Sequence, residues 1–139
     1  MTSTLVVAHG HLASELLASA QMIIGPTQTA SAVDFPPGMG TDELATLVAA
    51  AIDDLQAGSP DPVLILVDLA GGSPSRIAAA ESLAGRAVAV TGANLPQLIE
   101  VLTAGPADAA AAAQLAIQAG TAGIQEYGTA VRPVSGGLQ

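Results

Sequence analysis

Short apolar runs alternate along the chain with longer segments in which apolar residues recur at helical spacing. Three runs, at residues 4–8, 63–67 and 87–90, are aliphatic without polar alternation, which is typical of strands covered on both faces. A fourth run, at residues 29–35, is more polar and ends at a Pro-Pro-Gly turn, which predicts an edge strand. The pattern therefore predicts a parallel sheet whose strands are connected by helices.

Leucine, isoleucine and valine repeat every three or four residues between the predicted strands, and these segments end at glycines. The three glycines that end them are Gly25, Gly58 and Gly105. Helix starts are indicated by capping residues that precede an acid or a proline, namely Thr41, Ser73 and Asn94. The predicted order of elements is therefore βαβαβαβα.

An alanine-rich segment follows Pro106 and runs to about Gly120, and it predicts a further helix because alanine has the strongest helix propensity. A low-complexity linker is the alternative. We expect one domain over residues 1–132 and a flexible tail over residues 133–139. The predicted fold class is α/β, a three-layer sandwich with a mainly parallel sheet and helices on both faces.

Charge and composition exclude several classes of function. The 139-residue chain has 12 acidic residues, three arginines, no lysine and no cysteine, with a formal net charge of −9. Nucleic acid is not an expected partner because binding phosphate backbones requires clustered cations, and thiol chemistry is excluded. A basic leader and an apolar run of membrane-spanning length are both lacking, so we expect a cytoplasmic protein.

Candidate catalytic residues follow the first and third predicted strands. His9 and His11 come after the first strand, and Asp68 comes after the third. If these strands are neighbours, about 4.8 Å apart, His9 and Asp68 leave the sheet side by side. A carboxylate that accepts one imidazole N–H fixes the tautomer and leaves the other ring nitrogen as a nucleophile.

The loop after Asp68 predicts a phosphate-binding site at Gly71, Gly72 and Ser73. Its small residues allow backbone N–H groups to approach an anion, a helix N-terminus follows, and Ser73 adds a hydroxyl. His9, Asp68 and this loop together indicate a phosphoryl carrier that needs no metal or cofactor.

Asp34 and His11 are weaker candidates for a role in this chemistry. Asp34, at the end of the second strand, is most simply a solvated acid. His11 is most simply the residue that opens the first helix.

Four motifs in this order resemble the IIA domain of the mannose-type sugar phosphotransferase system (PTS), which serves mannose, fructose, sorbose and N-acetylgalactosamine. They are Val7-Ala8-His9-Gly10, Asp34-Phe35 with Gly38, Val67-Asp68-Leu69-Ala70-Gly71-Gly72-Ser73-Pro74, and Thr91-Gly92-Ala93-Asn94-Leu95-Pro96 with Leu98-Ile99-Glu100. The resemblance implies a phosphotransferase in which His9 accepts phosphate from the carrier protein HPr and passes it to a IIB domain, here on a separate chain. It further implies that IIB phosphorylates sugar at the membrane components IIC and IID, with Asp68 orienting His9 and Ser73 contacting phosphate.

The resemblance also implies a sheet order of 2-1-3-4 and a homodimer. A last short strand of each subunit, here residues 127–132, would join the partner's sheet as an antiparallel fifth strand. Ala8 and Leu69 stand where some members of the family carry threonine, which removes polar contacts near the histidine.

Three other functions are compatible with the sequence. The phosphoryl-donor subunit of PTS-dependent dihydroxyacetone kinase has a similar fold and histidine, although its known members lack the Gly-Gly-Ser-Pro loop. A regulatory module could use the same phosphorylated histidine to signal sugar supply to another protein. A small metal chelatase of tetrapyrrole synthesis opens with a sequence like residues 6–10, but it uses a second, distant histidine, and none follows His11.

Overall fold

A computed structural model describes residues 2–130 and shows a four-stranded parallel sheet flanked by helices. The strands are β1 (Thr4–His9), β2 (Ala30–Phe35), β3 (Val63–Val67) and β4 (Ala87–Val90). The helices are α1 (Leu12–Ile24), α2 (Thr41–Gly58), α3 (Ser73–Leu83), α4 (Leu95–Ala104), α5 (Ala109–Ala122) and the single turn α6 (Tyr127–Ala130). The strand order is β2-β1-β3-β4, so the expected order 2-1-3-4 and the edge position of β2 are confirmed.

Two apolar layers, one on each face of the sheet, hold the three-layer sandwich together. On one face Val6 and Leu66 pack with α1, α4 and α5, and on the other Val7 and Val67 pack with α2 and α3. Consecutive side chains of a strand point to opposite faces, so a strand with helices on both sides is apolar at every position. All five residues of β3 are buried, which accounts for its uninterrupted aliphatic sequence.

The sheet places the carboxyl ends of β1 and β3 together. Val7 lies opposite Val67 in the parallel register, so His9 and Asp68 both extend past the last pair that joins β1 to β3. After β1 the chain turns into α1 on one face, and after β3 it turns into α3 on the other. This divergence opens the sheet edge between the two strands, which is where ligands bind in open parallel sheets.

The helix starts agree with the predictions at Asn94 and differ at two other positions. The Asn94 side chain accepts the Gln97 N–H at 3.0 Å and caps α4. Thr41 and Ser73 are each the first residue of their helix, and Gly40 and Gly72 occupy the cap positions. Both glycines have extended backbones, and within residues 2–130 no side chain caps either helix, so hydroxyl capping was the wrong interpretation there.

The C-terminal part of the expected fold differs from the prediction. Tyr127–Ala130 forms a helical turn where the resemblance implied a strand, and Val131 and Arg132 lie outside the described residues. A strand needs a neighbour that satisfies its backbone N–H and C=O groups, and in a single chain a helical turn satisfies them locally. The predicted tail at 133–139 also lies outside the described residues.

None of the helices within residues 2–130 combines the length and the apolar character that are needed to cross a membrane.

Candidate functional site

His9 and Asp68 form a hydrogen-bonded pair at the carboxyl edge of the sheet. His9 Nδ1 lies 2.8 Å from Asp68 Oδ2, and the backbone N–H of His9 donates to the same oxygen at 3.0 Å. The His9 side chain is 46% exposed, whereas Asp68 is only 9% exposed. The structure thus brings together the two residues that were predicted from the sequence, with the carboxylate largely buried and the imidazole accessible to solvent.

The environment of Asp68 favours its ionised form. Burial on its own raises the pKa of Asp68, but hydrogen bonds from the His9 backbone, the His9 ring and the Leu69 N–H outweigh it and lower that pKa below the usual value. An ionised carboxylate can only accept hydrogen bonds, so Nδ1 of neutral His9 carries the ring proton. Nε2 therefore holds a free lone pair, which is the state that a nucleophilic imidazole requires.

Nε2 of His9 faces the loop at the start of α3. A Cβ added at Gly72 would lie 2.8 Å from His9 Cε1 and 3.2 Å from His9 Nε2, so only glycine fits against the ring at this position. No side chain of the described residues caps α3, and the first-turn N–H groups of Ser73 and Ser75 have no partner within the helix. An anion bound to Nε2 would therefore lie beside a glycine backbone and a helix N-terminus, which both favour negative charge.

The other two predicted phosphate-binding residues flank Gly72 and have different surroundings. Gly71 has a φ of +91°, and its N–H donates to Ser75 Oγ at 2.9 Å, so Gly71 shapes the turn. Ser73 Oγ accepts a hydrogen bond from Arg76 Nη2 at 3.1 Å. Ser75 and Arg76 were not among the residues predicted for the site, although the spacing of three residues between Ser73 and Arg76 on one helix face was a usable signal.

Phe35 is a further neighbour of His9 that the sequence did not reveal. The two rings lie with centroids 5.8 Å apart and planes inclined by 59°. Gly10, which directly follows His9, exchanges two backbone hydrogen bonds with Phe35, of 2.8 and 3.1 Å. These contacts fix the end of β1 against β2 and limit the positions that the imidazole can take.

A second histidine–aspartate pair lies nearby, with a different construction. Asp34 Oδ1 accepts the Ser14 N–H at 2.9 Å, and Oδ2 accepts the Ser14 hydroxyl at 2.6 Å. His11 Nδ1 lies 3.3 Å from the same Oδ2, and the His11 side chain is 71% exposed. Asp34 therefore caps the first turn of α1 from a neighbouring strand, which gives it a structural role beyond that of a solvated acid.

We expect Asp34→Ala to destabilise the domain by about 1 kcal/mol at neutral pH, because the Ser14 N–H loses its cap. Burial raises the pKa of Asp34, but the hydrogen bonds from Ser14 and His11 outweigh it and lower that pKa. The stabilisation is therefore present above the ordinary carboxyl pKa and is lost as the pH falls through the lowered value. Urea unfolding of both proteins at neutral and acid pH measures the difference.

Ser14→Ala serves as the control for this substitution, since it removes the hydroxyl and keeps the capped N–H. It should cost less stability than Asp34→Ala. Equal urea midpoints for Asp34→Ala and the wild type at neutral pH would contradict the capping role.

The described part of the chain contains no group of three or more acidic or histidine side chains arranged to hold a metal ion.

Comparison with protein families gives a match over most of the chain. The family model EIIA-man, described as PTS system fructose IIA component, matches residues 3–118. The PTS system mannose-specific EIIAB component of Escherichia coli K12 is 32% identical over 132 residues, which is 90% of this chain and 39% of that protein. The chain therefore spans about two fifths of the length of this relative.

Solved structures of similar proteins share the fold. The mannose/sorbose specific IIA subunit of the phosphotransferase system from Enterococcus faecalis has 28% identity and a TM-score of 0.80, covering 89% of this chain and 92% of that one. The PTS IIA protein associated with the fucose utilization operon from Streptococcus pneumoniae has 26% identity and a TM-score of 0.80, covering 95% of this chain and 100% of that one. With its sheet order and matched residues, the chain belongs to the mannose-type IIA family of the phosphotransferase system.

Proposed function

We propose that this protein is a phosphoryl carrier in which His9 Nε2 accepts a phosphoryl group from phospho-HPr and passes it to a IIB component for sugar uptake. The observation that carries the proposal is the 2.8 Å contact between His9 Nδ1 and Asp68 Oδ2, which leaves Nε2 free. The approach of Gly72 to Cε1 and Nε2 of the ring, beside the α3 N-terminus, supports it.

The transfer requires no general base in this arrangement. The lone pair of His9 Nε2 forms the new P–N bond while the P–N bond to the donor histidine breaks, and the donor ring keeps the electron pair. If the donor ring carries a proton on its other nitrogen, it leaves as neutral imidazole. His9 keeps its Nδ1–H and becomes a phosphorylated imidazolium, whose positive charge the Asp68 carboxylate stabilises.

Exposed apolar side chains that lie close in sequence to His9 or to Asp68 suit a protein partner. Leu12 is 45% exposed at the start of α1, and Leu69 is 51% exposed directly after Asp68. His9 itself is 46% exposed, so a phosphohistidine on another protein can approach it. The net charge of −9 would favour partners with a basic contact face, and it would make their association rate depend on salt.

Incubation with Enzyme I, HPr and phosphoenolpyruvate tests the proposed function. We expect one acid-labile phosphoryl group per chain by intact mass, and its loss when a IIB protein of the mannose type is added. The proposal fails if the chain stays unmodified while HPr in the same mixture is phosphorylated.

We also propose a homodimer in which a second copy covers the edge of β4 that faces away from β3. A groove of about 470 Å³ lies there, lined partly by Ala89, Thr91, Ile117 and Ile124. Gln97 lines it as well, and its Oε1 is buried without a hydrogen-bond partner among the described residues. Light scattering should give twice the chain mass of 13.5 kDa, whereas the mass of one chain at micromolar concentration would refute the dimer.

A further inference from the structure

Arg76 is bound to both sides of the loop segment that faces His9. Its Nη2 donates to Ser73 Oγ at 3.1 Å, and its Nη1 donates to the backbone oxygen of Gly71 at 3.3 Å. Gly71 and Ser73 are the neighbours of Gly72, the residue that lies against His9 Cε1 and Nε2. The guanidinium is therefore held at the site through the two residues that flank Gly72 in the loop.

No carboxylate in the described part of the chain compensates the charge of Arg76. Arg86 forms ion pairs with Asp53 at 2.8 Å and with Glu81 at 3.1 Å. Within residues 2–130, Arg76 forms no such pair and donates only to the uncharged Ser73 and Gly71. In a chain with 12 acidic residues and three arginines, this leaves a positive charge beside the one loop that would receive a dianionic group.

The side chains of Arg76 and Ser73 can both form further hydrogen bonds. A guanidinium has five N–H donors, and the two contacts of Arg76 leave donors available for further acceptors. Because Ser73 Oγ accepts from Arg76, the hydroxyl hydrogen of Ser73 remains free to donate elsewhere. Phosphoryl oxygens are acceptors that match both groups.

We propose that Arg76 is a phosphate-binding residue of the His9 site, which neutralises charge on the phosphoryl oxygens and holds the Ser73 hydroxyl as a donor toward them. This inference rests on the proposed function of His9. Arg76 makes only hydrogen bonds and gains or loses no proton, so the balance of the transfer step is unchanged. We therefore expect Arg76 to lower the free energy of phosphorylated His9 below the value that the glycine loop alone would give.

Two readouts on the full chain test this role. The first is the equilibrium distribution of phosphate between HPr and this protein, and the second is the rate at which phosphoramidate phosphorylates His9 with release of ammonia. We expect Arg76→Gln to lower both by about tenfold, the size of one charge-assisted hydrogen bond. Arg76→Lys should recover part of the loss because it retains the charge without the planar fork.

Ser73→Ala, alone and combined with Arg76→Gln, tests whether Arg76 acts partly through the Ser73 hydroxyl. The double variant should lose less than the product of the two single losses, because each single change removes the shared contact. Arg86→Gln is the charge-matched control, since it removes one positive charge elsewhere and should leave both readouts unchanged. Circular dichroism confirms that each variant is folded.

Wild-type values for Arg76→Gln in both readouts would overturn the proposal, as would equal losses in Arg76→Gln and Arg86→Gln. If the loss in the double variant equals the product of the losses in Ser73→Ala and Arg76→Gln, Arg76 does not act through the Ser73 hydroxyl. If HPr does not phosphorylate the wild type, the proposed function fails. The phosphoramidate rates of the wild type and Arg76→Gln still decide the role of Arg76 in that case.

Discussion

His9→Ala is expected to abolish phosphorylation by phospho-HPr completely, whereas His11→Ala should retain the wild-type yield of one phosphoryl group per chain. Only His9 combines a 2.8 Å contact to a sheltered carboxylate with a free Nε2 that faces Gly72 and the start of α3. Intact mass spectrometry under conditions that preserve acid-labile phosphate measures both outcomes.

His11 is an informative control because it also lies near a carboxylate. His11 Nδ1 is 3.3 Å from Asp34 Oδ2, but that carboxylate already accepts two hydrogen bonds from Ser14 in the first turn of α1. A phosphoryl group at His11 would thus be repelled by the negative charge of Asp34 at the start of α1. Near His9, by contrast, the start of α3 has no capping carboxylate among the described residues. Phosphate on His9→Ala, or its loss from His11→Ala, would contradict the assignment of the acceptor.

Much of the fold follows from the apolar pattern because the strands are buried on both faces. The five aliphatic residues of β3 leave little room for another interpretation, and β2 is less buried because it is an edge strand. The start of α3 was less predictable, because Ser73 and Gly72 are both acceptable caps and the choice depends on where the Ser73 hydroxyl finds a partner. The strand order 2-1-3-4 was implied by the resemblance to the family, because the apolar periodicity does not specify which strands are neighbours.

The main pair of the site was predictable once β1 and β3 were taken as neighbouring strands, and its surroundings were not. His9 and Asp68 are close because parallel strands end at one edge, a property of topology. The contacts of Arg76 and of Asp34 depend on side-chain rotamers and on how α1 and α3 are oriented, which spacing in one sequence does not specify. Asp34 therefore looked like a solvated acid, although it caps a helix that precedes its own strand.

The segment at residues 127–130 shows a different limit of prediction. A strand expected to pair with another subunit has no reason to form in one chain, where its hydrogen-bonding groups find no partner strand. The helical turn of Tyr127–Ala130 is therefore the result for a single chain.

Asp68→Asn should slow phosphoryl transfer to His9 by about two to three orders of magnitude while the domain stays folded. Both carboxylate oxygens accept hydrogen bonds, Oδ2 from the His9 ring and backbone and Oδ1 from the Leu69 N–H. Asparagine has only one acceptor oxygen, so its NH₂ must face one of these donors. If the NH₂ faces His9, it favours the tautomer with the proton on Nε2, and the lone pair needed for attack is lost.

Asp34→Asn is the matched control, since it makes the same chemical change at the end of β2, beside His11. Its transfer rate should equal that of the wild type, and both variants should unfold in urea as cooperatively as the wild type does. Rapid-quench measurement of phosphohistidine formation separates the two variants. Transfer by Asp68→Asn at the wild-type rate would mean that the carboxylate neither sets the tautomer nor stabilises the developing charge, and the orienting role of Asp68 would then have to be abandoned.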